Sequence, residues 1–137
     1  MALSAFLKEN RKEKGTVKYA VSTDFVDENG KVIEWEIRAL KSREADAIRN
    51  ACTEINAKGK KVTVDQSKFN RLTAAKCTVF PNLNDQELQD SYGVMCAEDL
   101  VAELLDNDGE YQNYIKKVME VSGYMESDEE LIETAKN

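Results

Sequence analysis

Between Val17 and Ala39 apolar side chains return on every second residue, the period of a half-buried strand. Val17, Tyr19 and Val21 form one run; Ile33, Trp35, Ile37 and Ala39 form the other, interleaved with Glu34, Glu36 and Arg38. The Asp27-Glu28-Asn29-Gly30 stretch between them supplies turn chemistry, with Gly30 free to adopt a positive φ. The pattern predicts a β-hairpin. An isolated hairpin is marginal in water, so Trp35 and Ile37 must rest on helices.

After residue 40 the apolar period lengthens to that of a helix. Ser42 is placed to cap a helix carrying Ala45, Ile48, Cys52 and Ile55 on one stripe and ending near Gly59. The stretch KGKKVTVD reads as a basic connector, mobile or briefly extended. Asp65 caps the next helix, whose apolar face is Phe69, Leu72, Val79 and Phe80. Pro81 stops it, because the proline ring disfavours helical geometry at Phe80. The punctuated segment PNLNDQELQDSYGVM, residues 81–95, then reads as a short helix. Asn84 is its N-cap with Glu87 closing a capping box, Leu83 and Leu88 form a hydrophobic staple, and Gly93 is the left-handed C-cap.

Two further helices follow, one with Leu100, Val101, Leu104 and Leu105, the other with Tyr111, Ile115 and Val118. The break between them falls at Asn107–Gly109, with Gly109 making the turn; the second stops at Gly123. Ser127 and Glu130 make a capping box for a last helix through Leu131 and Ile132, and Ser4 caps a short N-terminal helix broken by Gly15. The fold class expected is α+β: an N-terminal β-hairpin packed on a mainly α-helical domain of about five helices. It forms a single domain over 1–137, divided into an N-terminal helix or arm (1–15), the hairpin (16–40), two helices (42–80) and a helical remainder (81–137).

Charge separates that remainder from the rest. Residues 1–80 carry 16 Lys/Arg against 11 Asp/Glu, a net of +5, whereas residues 81–137 carry 3 against 15, a net of −12. The overall −7 argues against general nucleic-acid binding, which needs a basic footprint. Solvated helix faces account for such charge; so does steering of a partner, or weak head-to-tail self-association of the two halves. The chain has no run long enough for a membrane span and no signal-peptide pattern, since the N-terminal positive charges follow the apolar stretch. Cys52, Cys77 and Cys96 form no C-x-x-C pair and read as reduced thiols of a cytoplasmic protein, with Cys52 and Cys77 buried.

Catalytic chemistry finds little purchase. There is no histidine, no phosphate-binding glycine loop and no dinucleotide fingerprint. FVDENGKVIEWE imitates a calcium loop, but Phe25 stands where the first aspartate is required and both flanks alternate like strands. DNDGE places its glycine too early for such a loop. No catalytic, cofactor-binding or metal-ligating residue is assigned. Tyrosine is concentrated in the acidic part, and an exposed tyrosine buries area in an interface at low entropic cost. Candidate partner-binding residues are therefore Tyr92, Val94, Met95, Tyr111, Tyr114 and Tyr124, with core packing the alternative role for Tyr92 and Tyr111.

The order DENGKVIEWEIRAL, then FPNLNDQELQDSYGVMCAEDLVAELLDNDGEY, then the ETAKN ending resembles the XkdN-like tail assembly chaperones of long-tailed phages and prophages. The similarity runs over residues 17–137, with 56–66 the least distinctive part. It implies a non-catalytic, cofactor-free protein that coats the phage tape measure protein, brings tail tube protein subunits to it, and leaves before the tail is complete. It also implies a gene whose end, at Ala135-Lys136-Asn137, is suited to a programmed frameshift. The competing reading is a phage- or prophage-encoded regulator using the basic part on nucleic acid or a host protein. It lacks a helix-turn-helix pattern.

Overall fold

The computed structural model describes residues 2–55, 59 and 62–124. The helix expected from Ser127 and the Ala135–Asn137 end lie outside them. The alternation seen in the sequence becomes two short antiparallel strands, β1 (Val17–Tyr19) and β2 (Trp35–Ile37), paired Val17 to Ile37 and Tyr19 to Trp35. Trp35 and Ile37 are buried while Glu36 between them faces the other way, as a period of two demands. Between the strands the chain makes a smaller turn in which Val26 bridges Val32. There Asp27 Oδ1 accepts from the N–H groups of Asn29 and Lys31, and Gly30 has φ 78°. The carboxylate that imitates a calcium ligand is thus occupied by backbone donors.

The helix α1 (Ser42–Cys52) starts one residue earlier than expected: Lys41 holds the N-cap place and Ser42 is already helical. Glu44 explains the shift. Its carboxylate accepts the Lys41 N–H at 3.0 Å and the Arg38 guanidinium through two bonds of 2.8 and 2.7 Å. The Arg38 bond, more than any other influence, holds the Glu44 carboxyl down at about 2 against an ordinary 4.5.

Expectation and structure part company after Cys52. The helix does not run on to Gly59; Thr53 Oγ1 bonds back to Arg49 O, and β3 (Thr53–Ile55) pairs with β4 (Val62–Val64). Ile55 consequently leaves the α1 stripe and stands 68% exposed. Both trios, Thr-Glu-Ile and Val-Thr-Val, are rich in β-branched residues that lose side-chain freedom in a helix and fit a strand. The N-terminal helix is also absent as such. Two 3-10 turns, Ala2–Phe6 and Lys8–Asn10, leave Leu3, Phe6 and Leu7 exposed, because so short a helix with nothing to pack on does not propagate.

The helix α2 (Gln66–Cys77) is capped as expected, Asp65 Oδ1 accepting from the Lys68 N–H. It ends earlier than its apolar pattern suggests. Val79 and Phe80 belong to a third strand, β5 (Thr78–Phe80), added antiparallel to β2 to give the order β1-β2-β5. Pro81 disfavours helix at Phe80, and Thr78 Oγ1 turns back to Ala74 O at 2.7 Å. The unpaired side of β2 takes the freed chain, with Arg38 N–H bonding Cys77 O. The inward face of α2 is instead Phe69, Thr73, Ala74 and Cys77.

Two helices close the core, α4 (Ala97–Leu104) and α5 (Asp108–Val121), after the short α3 (Gln86–Ser91) in the punctuated segment. Leu100, Val101, Leu104 and Leu105 are all buried, as their spacing requires, and meet Tyr114, Ile115 and Val118 of α5. Trp35 stands edge-on to Tyr114 with ring centroids 5.1 Å apart and lies 6.2 Å from Phe25. The turn between α4 and α5 is made by Asn107, whose Oδ1 caps the Glu110 N–H, and not by Gly109, which is helical without a positive φ. Gly109 leaves room instead: a Cβ there would stand 3.3 Å from the capping oxygen. The fold is α+β, with the small sheet packed on helices.

Candidate partner-binding site

Residues 80–95 form a segment pinned from both ends. At its start the Asn82 side chain accepts the Asn84 N–H, so Asn84 is not the cap; Asp85 is, accepting from Leu88 N–H at 3.0 Å. Leu83 is 2% exposed and Leu88 packs half-buried on the core, but with Asp85 as the cap neither stands at the staple position expected of it. The Gln89 side chain is buried and donates to Leu83 O at 2.8 Å, tying the helix to the turn that leads into it. At its end Gly93, with φ 66°, donates to Asp90 O while Val94 donates to Gln89 O, the paired bonds of a Schellman cap. The amides of Tyr92, Gly93 and Val94 are all bonded back to the last turn of the helix.

That fixation presents side chains outward. Phe80 is 49% exposed and Met95 93%, with Tyr92 exposed between them. Beside them an open groove of about 480 Å³ is lined by Phe80, Asn82, Asp85, Glu87, Leu88 and Ser91. Two apolar walls and two carboxylates suit an apolar side chain flanked by a cation.

The six candidate residues do not form one surface. Tyr92 and Met95 are exposed, and Val94 between them packs half-buried against the core. Tyr111 is half-buried on the core. Tyr114 is closed to any partner: it is fully buried, with its hydroxyl 2.6 Å from Thr78 Oγ1, and burial pushes its pKa up. Its place in the helix, three residues past Tyr111, turns it toward Trp35. Tyr124 is exposed elsewhere, held at α1 by Arg49 Nη2 donating to its hydroxyl at 3.3 Å. The sequence reading passed over Phe80 and the β3–β4 aliphatics as exposed groups. The signal was there in Thr-Val-Phe before a proline and in Val-Thr-Val beside a glycine turn.

All three cysteines are free thiols whose pKa burial raises, so none is a poised nucleophile at neutral pH. Among the described residues no cluster of three or more Cys, Asp or Glu is placed to hold a metal ion, and no helix is long and apolar enough to cross a membrane.

The profile of the phage XkdN-like tail assembly chaperone proteins matches residues 3–136. The uncharacterised protein YqbN of Bacillus subtilis (strain 168) is 28% identical over 138 residues, covering 98% of this chain and 93% of that one. The phage-like element PBSX protein XkdN of the same organism is 26% identical over the same length and coverage. A crystal structure of YqbN superposes with a TM-score of 0.77 at 24% identity, over 89% of this chain and 96% of the other, a likeness of fold. With the family match running from residue 3 to residue 136, this chain belongs to the phage XkdN-like tail assembly chaperones.

Proposed function

We propose that the protein is a non-catalytic escort in phage tail assembly, acting in the host cytoplasm and absent from the finished tail. Its client is the tape measure protein, to which it also helps bring tail tube subunits. The observation that carries the reading is the outward presentation of Tyr92 and Met95 on a segment fixed by Leu83, Gln89 and the Gly93 cap. A rigid ledge with a long, unbranched methionine adapts to many apolar client helices without closing on any one. The acidic remainder of the chain keeps an escort–client complex soluble by net charge. Buried thiols and a chain without histidine support a binding role over a catalytic one.

The test is co-expression with the tape measure protein of the same phage element. The tape measure protein is expected in the soluble fraction and in the eluate of this protein. Met95→Glu together with Tyr92→Glu should lower that recovery severalfold while the thermal midpoint holds. A tape measure protein equally soluble without the escort would refute the reading.

A further inference from the structure

Two exposed apolar features of opposite charge lie within reach of each other: the N-terminal arm and the groove beside α3. In the arm, Leu3, Phe6 and Leu7 are 71%, 81% and 52% exposed. Lys8, Arg11, Lys12 and Lys14 follow them, all exposed, against Glu9 and Glu13. The turns of the arm are closed by local bonds, with Asn10 Nδ2 donating to Ser4 O at 2.9 Å and the Asn10 N–H to Leu7 O at 3.0 Å.

The groove offers the complement. Phe80 and Leu88 line it with Asp85 and Glu87, and residues 81–95 hold the acids Asp85, Glu87 and Asp90 and no Lys or Arg. The exposed aliphatics of β3 and β4 offer a basic segment much less, since Glu54 is the one acid in those two strands. The root of the arm is also aimed at the groove wall. Thr16 Oγ1 donates to Glu36 Oε1 at 3.2 Å, and Glu36 is paired with Phe80 on the neighbouring strand β5. Neighbouring strands lie about 5 Å apart. Phe6 precedes Thr16 by ten residues, which span up to about 33 Å when extended, so the arm reaches Phe80 of its own chain with slack to turn back.

We propose that residues 3–14 are a strap that folds across the sheet and closes over the β5–α3 groove of the same chain. Phe6 and Leu7 seat against Phe80 and Leu88, and Lys8 and Arg11 face Asp85 and Glu87. The structure shows the strap open, with its apolar side chains in solvent. A short flexible tether holds the arm at millimolar effective concentration, so even a weak contact is substantially populated. An apolar segment of another protein, flanked by cations, then enters the groove only by displacing the strap. That consequence rests on the escort reading; closure itself does not.

Amide NMR of the full chain tests closure with no tail protein present, so its failure leaves the escort reading standing. Phe6→Ser with Leu7→Ser alters only exposed side chains. It should move the signals of Asn82, Asp85, Glu87, Leu88 and Ser91 while the thermal midpoint holds. Raising salt from about 0.05 M to about 0.5 M, which shortens the screening length about threefold, should move the wild-type signals in the same direction. Both changes should be independent of protein concentration. A synthetic peptide of residues 3–14 should bind the arm variant and bind wild type severalfold more weakly, because the tethered strap competes with it. Glu87→Lys, at an exposed position, should weaken binding of the peptide to the arm variant severalfold. Groove signals indifferent to the arm substitutions would overturn the proposal. Signals that move only as concentration rises would mean that the arm seats in a second copy, and would overturn it too. So would a peptide that binds both chains equally, or that ignores the arm variant.

Discussion

β2 and β4 are both three-residue strands with alternating branched or aromatic side chains, yet one is the centre of the molecule and the other is bare. Trp35-Glu36-Ile37 has a neighbour strand on each side and a helix layer beneath, and its two apolar residues are 2% and 0% exposed. Val62-Thr63-Val64 has one neighbour, β3, and its two valines are 62% and 46% exposed. A lone two-stranded ribbon is marginal by itself. Here its base is set by the adjoining helix ends: Asp65 N–H bonds Cys52 O, and the Lys68 ammonium bonds Ala51 O. Alternation makes a strand. Burial requires, in addition, a surface to be buried against, which β2 has and β4 lacks.

The comparison breaks first at Trp35. Trp35→Ala removes a ring packed between Phe25 and Tyr114 and should cost about 3–5 kcal/mol in thermal or denaturant unfolding. An unchanged melt would mean that β2 is no more central than β4.

A smaller effect is expected in acid, at the junction of β2 and α1. Glu44 is held at about 2 in the fold against an ordinary 4.5, so its contribution is complete above 4.5 and is lost as pH falls towards 2. Arg38 and Glu44 are partly exposed, with side-chain accessibilities of 31% and 20%, so solvent screening limits the contribution to about 1 kcal/mol. Glu44→Gln should lower stability at neutral pH by that amount and flatten its fall between pH 4.5 and 2. Parallel stability curves for variant and parent across that range would contradict it.

The smallest effect belongs to the ribbon. Ile55→Thr and Val62→Thr keep β-branching and remove only exposed apolar atoms, so each should change stability by less than about 0.5 kcal/mol. A larger loss would show that the ribbon is buried in solution, and the contrast with β2 would then disappear.

Where burial and local chemistry agree, the sequence could be read directly. Trp35, Ile37, Leu100, Val101, Leu104 and Leu105 are in the core because their spacing had only one apolar side to offer. Gly93 and Asp65 took the capping roles their residue types suggest. Errors arose where two periods overlap. Phe69, Leu72, Val79 and Phe80 fit a helix on paper, but a free edge of β2 and the following proline gave Thr78–Phe80 a better partner. Ile55 fitted the α1 stripe for the same reason, and no local rule reveals that a second β-branched trio seven residues later will pair with it. Of the site, the pinned segment was legible in its caps; the exposure of Phe80 and the burial of Tyr114 depend on contacts made across the whole chain.

Ser122, just past the end of α5, has a consequence of another kind. Its hydroxyl oxygen accepts the N–H of Leu40, 82 residues earlier, at 3.0 Å, and lies 4.0 Å from the thiol of Cys77. One small side chain therefore clasps the start of the first helix, the last turn of the fifth and the strand–helix corner between them. Fraying, which in most helices is a private event of the final turn, is here shared by three distant stretches. Removing that one hydroxyl would leave the Leu40 amide without this acceptor and take away a contact of the fully buried Cys77 sulfur at the same time.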